Sequence, residues 1–193
     1  MHLSVDELRD KVEEFRSSGL NTQQIADELS LSQTTVQWLS ASDFEVDDKP
    51  VDVKVGWRSI AVKGERIEAI SYVFCDIIEE MVGEEIDTIV GVSINGIAFA
   101  QSVSSVLDLE LSVVRSINED VAGHLSQVYA GVEGKRVVII DDVYSSGKTM
   151  RKIAEDLTNA GAEVKLCMVL VNKSWDDDVG GFPLRALVRA ATV

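Results

Sequence analysis

The chain has 193 residues, which is enough for one ordinary α/β domain and a small additional unit, because a typical domain takes about 100 to 150 residues. Its 33 acidic and 18 basic residues give a formal net charge of −15, which disfavours extensive binding to nucleic acid because phosphate contacts need cations. No apolar stretch approaches the roughly 20 residues that span a bilayer, and the N-terminus lacks the basic and apolar regions of a secretory signal. We therefore expect a cytoplasmic protein that does not contact a membrane.

The first part of the chain predicts three short helices. Ser4 and Glu7 form a capping box in front of a helical apolar pattern, and Asn21 can cap a second helix. Ser32 can cap a third helix a few residues further on. Residues 1–42 are therefore expected to form a small all-α unit.

The second and third helices are joined by only a few residues, as in a helix-turn-helix. Small or apolar residues occupy the core positions that this motif needs, namely Ile25, Ala26, Leu29, Leu31, Val36 and Leu39. The pattern resembles the helix-turn-helix of bacterial and archaeal transcription regulators over residues 20–40, with Ser30 where a glycine often makes the turn. The resemblance implies that the third helix reads DNA.

Four polar residues of this third helix and its cap can reach base edges in a major groove. They are Ser32, Gln33, Thr34 and Gln37. Residues 1–43 carry eight acidic and three basic side chains, a net charge of −5, but residues 29–42 contain no acidic residue. We expect a homodimer that presents two such helices about 34 Å apart to promoter DNA, with modest and salt-dependent affinity. The alternative is that the three helices serve only dimerisation or packing.

Residues 43–64 lose the helical period and contain Pro50 and Gly56, so they predict a linker that leads into a short strand or hood segment. From residue 65 onward, helical patterns alternate with apolar runs. Because continuous Val and Ile runs between helices indicate a parallel sheet covered on both sides, residues 65–193 predict an α/β domain.

The predicted elements of this domain follow one another in a regular order. The helices are expected near 66–82, 97–107 and 149–159, and the strands at 87–93, 109–115, 136–141 and 163–171. A polar stretch at 116–133 interrupts the alternation.

The stretch RVVIIDDVYSSGKTM, residues 136–150, places two carboxylates at the end of an apolar strand. In parallel sheets, ligands bind beyond the carboxyl ends of the strands. The loop that follows enters a helix and consists of Ser145, Ser146, Gly147, Lys148 and Thr149. Backbone amides at the start of a helix favour an anion such as phosphate. A Walker A loop needs glycine where Asp142 stands, so this is not a P-loop. Carboxylates accept hydrogen bonds from a diol, and the stretch therefore predicts a sugar-phosphate site.

This motif resembles the fingerprint of the type I phosphoribosyltransferases, which bind phosphoribosyl pyrophosphate, and the resemblance extends over about residues 60–190. It implies that family's fold, a parallel sheet flanked by helices. It also implies that Asp141 and Asp142 bind the ribose hydroxyls, and that residues 145–149 hold the 5′-phosphate. Lys148 departs from the family pattern, which usually has Gly, Thr or Ser there.

A second loop resembles the pyrophosphate loop of the same family. It lies in VGVSINGIAFA, and its candidate ligand residues are Ser93, Asn95 and Gly96. The resemblance implies that Mg²⁺ accompanies phosphoribosyl pyrophosphate, and that Asp141 and Asp142 would meet the metal only through the metal-bound ligand.

Catalysis has little support in these loops. Displacing pyrophosphate needs cations around the leaving group, but SING has no basic residue where many active members have one. The stretch RSINEDVAGHLSQVYAG, residues 115–131, would correspond to the family's mobile catalytic loop. It offers only Arg115 as a ligand candidate and His124 as a general-acid candidate. A histidine in a loop, such as His124, is more often an ordinary surface residue than a general acid.

The tail loosely resembles the segment with which purine phosphoribosyltransferases recognise a base. Lys173 and Trp175 would then be the base-recognising lysine and the stacking aromatic residue. A plain strand-loop-strand with Trp175 on the surface is the alternative.

The order of the two units favours a DNA-binding transcription regulator whose phosphoribosyltransferase-like domain senses a phosphorylated sugar or nucleotide. It resembles archaeal regulators of this arrangement. The rival is an active orotate-type or purine-type phosphoribosyltransferase, and a third class is a nucleotide-binding structural protein.

Overall fold

The computed structural model describes residues 4–41, 52–115 and 124–191. The chain divides into two compact units, one ending at Gly56 and the other running from Trp57 to Ala191. None of the helices in these ranges is long and apolar enough to cross a membrane.

The first unit contains three helices, α1 (Val5–Ser17), α2 (Thr22–Leu29) and α3 (Gln33–Leu39). Capping boxes begin α1 and α2, as the sequence predicts. Ser30 takes the left-handed conformation with φ 53°, and thus makes the turn in place of a glycine. The helices enclose a buried apolar core of Val12, Ile25, Ala26, Leu29, Val36 and Leu39.

The second unit contains four helices and seven strands among the described residues. The helices are α4 (Arg58–Ala61), α5 (Gly64–Val82), α6 (Asn95–Leu107) and α7 (Lys148–Asn159). The strands are β1 (Thr88–Ser93), β2 (Glu110–Arg115), β3 (His124–Leu125), β4 (Arg136–Tyr144), β5 (Glu163–Asn172), β6 (Asp178–Val179) and β7 (Phe182–Arg189).

The strands form one sheet in the order β3-β2-β1-β4-β5-β7-β6. The strands β2, β1, β4, β5 and β7 run parallel, while β3 and β6 add antiparallel edges. Val90 belongs to the core that packs under α7. Its neighbour Gly91 faces α6, because a Cβ at Gly91 would lie 2.9 Å from Cβ of Ala100. Since adjacent strand residues point to opposite faces, helices cover both faces of the sheet.

An ion pair fixes the start of two central strands. Asp87 accepts hydrogen bonds from the backbone N–H, Nε and Nη2 of Arg136 at 2.8, 2.9 and 2.9 Å. The backbone N–H of Asp87 in turn donates to the carbonyl oxygen of Arg136 at 2.9 Å. These bonds fix the register between β1 and β4 at the start of both strands.

Two boundaries differ from the sequence prediction. The strand predicted over 136–141 continues to Tyr144, because Val143 and Tyr144 still pair with Val171 and Asn172 of β5. The described residues 52–63 contain the short helix α4 and no strand, so the strand alternative is wrong there and the hood segment stays a prediction.

Candidate functional site

The carboxyl ends of the central strands bring several predicted site residues to one edge of the sheet. Ser93 is the last residue of β1 and pairs in register with Arg115, the last residue of β2. Arg115 also pairs across the sheet with His124 of β3. Both Arg115 and His124 are exposed, so two cationic or titratable side chains lie beside the loop that follows Ser93.

Asp141 and Asp142 lie within β4, past the point where β1 stops pairing with it. The last residues of β1 and β4 that pair are Gly91 and Ile140, whereas Asp141 still pairs with β5. The N-terminus of α6 fills this gap, because Gly96 packs directly on the backbone of β4. A Cβ at Gly96 would lie 3.0 Å from Cα of Asp141 and 3.1 Å from the carbonyl carbon of Ile140.

The carboxylate of Asp142 is held by a network of N–H donors. Its Oδ2 accepts hydrogen bonds from Nε1 of Trp57 at 2.8 Å and from Nδ2 of Asn95 at 3.0 Å. Burial raises the pKa of Asp142. Hydrogen bonds with the side chains of Trp57 and Asp141 oppose that rise, and those with the backbone of Val143 and with Asn95 oppose it less. The neighbouring Asp141 accepts the backbone N–H of Asp142 at 2.9 Å. An acidic group kept in a partly buried place by specific donors is typical of a functional site.

The loop after β4 leads directly into α7. Gly147 stands at the start of this helix with φ 72°, and no side chain caps the first turn of α7. The side chains of Ser145 and Thr149 are half-buried, and those of Ser146 and Lys148 are exposed. The free amides of such a helix start can bind an anion.

The side chain of Tyr144 explains why this loop needs a glycine at position 147. Its ring is buried, and a Cβ at Gly147 would lie 3.0 Å from Cε2 and 2.6 Å from Cζ of that ring. The hydroxyl of Tyr144 donates to Oδ2 of Asp176 at 3.1 Å, and burial, with the help of Asp176, raises the pKa of Tyr144 to about 12. The loop therefore packs at Gly147 against the hydrogen-bonded, neutral side chain of Tyr144.

The predicted base-recognition segment follows β5 and is organised by the buried side chain of Asn172. Its Oδ1 accepts the backbone N–H of Ser174 at 2.8 Å, and its Nδ2 donates to the carbonyl oxygen of Asp176 at 2.8 Å. The backbone N–H of Lys173 donates to the carbonyl oxygen of Tyr144 at 2.8 Å, so this segment starts beside the end of β4. Lys173 is half-buried, and Trp175 is 64% exposed.

In the first unit, the predicted DNA-reading residues divide into two groups. Thr34 and Gln37 are exposed on α3, whereas Ser32 and Gln33 are half-buried. Ser32 shares a hydrogen bond with the hydroxyl of Thr35, and Gln33 donates to the side chain of Gln23. The first group is therefore the more accessible of the two.

The sequence does not identify the donors around Asp142 or the supports of the loop. Trp57 is distant in the chain and lies in a segment with no periodic pattern, so only the fold reveals its contact with Asp142. Asn172 offers a weak sequence signal, because it is a polar residue at the end of an apolar run. Tyr144 lies inside the motif, yet only the reach of its ring to Gly147 reveals its role.

Comparison with known proteins identifies the class of the second unit. A family model described as a phosphoribosyl transferase domain matches residues 57–179. The crystal structure of adenine phosphoribosyltransferase from Thermoanaerobacter pseudethanolicus has a TM-score of 0.60 at 19% identity, and the match covers 73% of this chain and 90% of that chain. The unit is therefore a phosphoribosyltransferase-type domain, and the predicted fold class is confirmed.

Two relatives match over nearly the whole chain. The transcriptional regulator GfcR of Thermoplasma acidophilum is 42% identical over 193 residues, which cover 98% of this chain and 98% of that protein. The transcriptional regulator GfcR of Picrophilus torridus is 37% identical over 193 residues, which cover 98% of this chain and 99% of that protein. The chain belongs to the family of archaeal GfcR transcriptional regulators.

Proposed function

We propose that this chain is a DNA-binding transcription regulator, and that its phosphoribosyltransferase-type domain senses a phosphorylated sugar or nucleotide such as phosphoribosyl pyrophosphate. The observation that carries the proposal is the placement of Asp141 and Asp142 directly before an uncapped helix start in a regulator family. Carboxylates can accept hydrogen bonds from two sugar hydroxyls, and the helix start can bind a phosphate.

The roles of the residues follow from this arrangement. Asp141 and Asp142 accept hydrogen bonds from the ribose hydroxyls, while the amides and hydroxyls of residues 145–149 hold the 5′-phosphate. The exposed side chain of Arg115, at the end of β2, supplies a positive charge to the rest of an anionic ligand. The segment with Lys173 and Trp175 is open to a base, if the effector carries one.

Sensing is favoured over catalysis by the composition of the loop at Ser93. The residue that follows is Ile94, whose side chain is 67% exposed, and neither Asn95 nor Gly96 brings a charge. A departing pyrophosphate needs preorganised cations, and the loss of one such group commonly costs about 10²- to 10³-fold in rate. The active transferase remains the second candidate, because Arg115 and His124 lie at the same edge.

The acidic residues do not form a metal cage. Within residues 4–41, 52–115 and 124–191, no group of three or more His, Cys, Asp or Glu side chains is arranged to hold a metal ion. Oδ2 of Asp142 already accepts two N–H donors. We propose that Mg²⁺ enters with the pyrophosphate of the ligand and meets Asp141 and Asp142 only through that ligand.

On the DNA side, we propose that α3 enters the major groove and that Thr34 and Gln37 make the base contacts. Both side chains are exposed, and α3 carries no charged residue. We expect a homodimer to present two such helices, because two DNA half-sites one helical turn apart are bound by a protein with two-fold symmetry. Sedimentation of the purified chain tests the dimer.

Two experiments separate the candidate functions. Gel shifts with fragments upstream of the protein's own gene, with and without phosphoribosyl pyrophosphate, are expected to show a specific and salt-dependent complex that the ligand alters. The absence of any specific shift contradicts DNA regulation. Turnover assays with orotate, uracil and purine bases are expected to yield no nucleotide above background, and product at ordinary enzymatic rates would establish the transferase instead.

A further inference from the structure

The segment Asp52–Trp57, here called the tether, connects the two units covalently. It has no regular secondary structure, and the division between the units falls after Gly56. Each end of the tether carries a side chain that is hydrogen-bonded inside its own unit. The tether therefore joins a residue of the candidate DNA-reading unit to a residue of the candidate ligand site, wherever the two units lie.

The first end of the tether holds the start of α3. Oδ2 of Asp52 accepts the backbone N–H of Ser32 at 2.8 Å and the hydroxyl of Thr35 at 2.8 Å. Oγ of Ser32 in turn accepts the backbone N–H of Thr35 at 3.1 Å. Because these bonds fix the first turn of a short helix, a displacement of Asp52 changes the order of the helix that carries Thr34 and Gln37.

The second end of the tether occupies the key carboxylate of the ligand site. Nε1 of Trp57 donates to Oδ2 of Asp142 at 2.8 Å, and the indole ring lies 5.4 Å from the ring of Phe99. The same Oδ2 accepts Nδ2 of Asn95 at 3.0 Å. Each carboxylate oxygen offers about two acceptor positions, so both positions of Oδ2 are in use.

A ligand hydroxyl that binds Oδ2 of Asp142 must therefore compete with one of these two donors. Asn95 is held in place because the adjacent Gly96 packs on the backbone of β4. Trp57 instead lies at the end of the tether and in front of the four-residue helix α4. It is the donor that can leave without disturbing the sheet.

We propose that ligand hydroxyls displace the Trp57 N–H from Asp142, and that the tether passes this displacement to Asp52 and thus to the first turn of α3. The inference rests on the proposed function, and it adds the route by which an occupied sugar site alters the DNA-reading helix. Coupling of this kind requires an element with two arrangements that both sites bias. The tether, bound or released at Trp57, is that element.

The variant Trp57→Phe tests the route in the full-length chain. It keeps an aromatic ring against Phe99 but removes the N–H that competes for Asp142. The matched control is Tyr72→Phe, which removes an exposed aromatic donor whose partner is Glu68 on α5. The probes are ribose 5-phosphate alone and phosphoribosyl pyrophosphate with Mg²⁺, with affinity from calorimetry and amide hydrogen exchange measured across α3.

We expect the wild-type chain and Tyr72→Phe to show faster exchange across α3 when the ligand saturates them. Trp57→Phe is expected to bind the ligand about fivefold more tightly, the equivalent of one ordinary hydrogen bond released from competition, and to lose the ligand-induced change at α3. If Trp57→Phe keeps the full ligand-induced change, the tether is not the route.

A second variant guards against a Trp57→Phe chain that does not fold. Asp52→Ala removes the hydrogen bonds at the other end of the tether and changes no candidate ligand residue, so ligand affinity should stay within about twofold while the change at α3 disappears. A ligand-induced change that survives Asp52→Ala also overturns the proposal. If a probe binds the wild-type chain without any change at α3, only the proposed coupling through the tether is overturned. If neither probe binds, the proposed function is overturned as well.

Discussion

The close packing of α6 on β4 predicts that Gly96→Ala damages both stability and the ligand site. Ordinary carbon contacts lie at about 3.5 to 4.0 Å, but the new methyl group would lie 3.0 Å from Cα of Asp141 and 3.1 Å from the carbonyl carbon of Ile140. Both neighbours are backbone atoms, so no side-chain rotation relieves the overlap and α6 must retreat by about 0.5 to 1 Å. Overpacking of this kind costs about 1 to 3 kcal/mol of unfolding free energy.

The retreat also displaces the candidate ligand residues Asn95 and Gly96 at the start of α6, and we expect the affinity for ribose 5-phosphate to fall by about tenfold or more. Urea unfolding followed by circular dichroism measures the stability, and calorimetry measures the affinity. The control is Gly64→Ala at the start of α5, where a Cβ meets nothing within 4 Å, so the change should be neutral or slightly stabilising. Equal stabilities and affinities for the two variants would refute the close approach of α6 to β4.

Two further predictions concern the loop and the sheet. Gly147→Ala should lower the unfolding free energy by about 1 to 3 kcal/mol more than Gly134→Ala. Both glycines have φ near 70°, but only Gly147 faces the buried ring of Tyr144. Equal losses of the two variants in urea unfolding would contradict this contact. The hydrogen bonds of Arg136 hold the pKa of Asp87 well below its usual range. The stabilisation that Asp87 provides is therefore fully present when the pH is above the pKa of an unfolded aspartate, about 3.9, and it is lost as the pH falls from there toward the lower pKa of the folded state. The difference in Tm between the wild type and Asp87→Asn should therefore be full at pH 7 and shrink steadily below about pH 4, and a difference that is independent of pH argues against this ion pair.

The sequence predicts the main elements of both units because each rests on local patterns. Capping boxes and apolar spacing identify α1 and α2, and the continuous Val and Ile runs identify the parallel strands. The motif at Asp141 and Asp142 identifies the candidate site because a strand end, two carboxylates and a helix start are neighbours in the chain. Such features need no knowledge of long-range contacts.

The structure adds what the sequence could not predict, namely the partners that depend on the folded chain. Asp52 and Trp57 have no periodic pattern around them, yet each is hydrogen-bonded to a residue far away in the sequence. The end of β4 was predicted too early because polar residues usually end a strand, whereas here β5 continues to pair as far as Asn172. These features arise from strand length and helix position, which local composition does not determine.

The central claim is that Asp141 and Asp142 bind the hydroxyls of a sugar phosphate, and calorimetry of the double variant Asp141→Asn, Asp142→Asn with ribose 5-phosphate tests it most directly. Removing two negative charges should by itself strengthen the binding of an anion. The loss of two charge-assisted hydrogen bonds should instead weaken it by about 100-fold or more. The control Asp76→Asn removes an exposed charge from α5 and should leave the affinity nearly unchanged. An affinity of the double variant that equals or exceeds that of the wild-type chain would contradict the account.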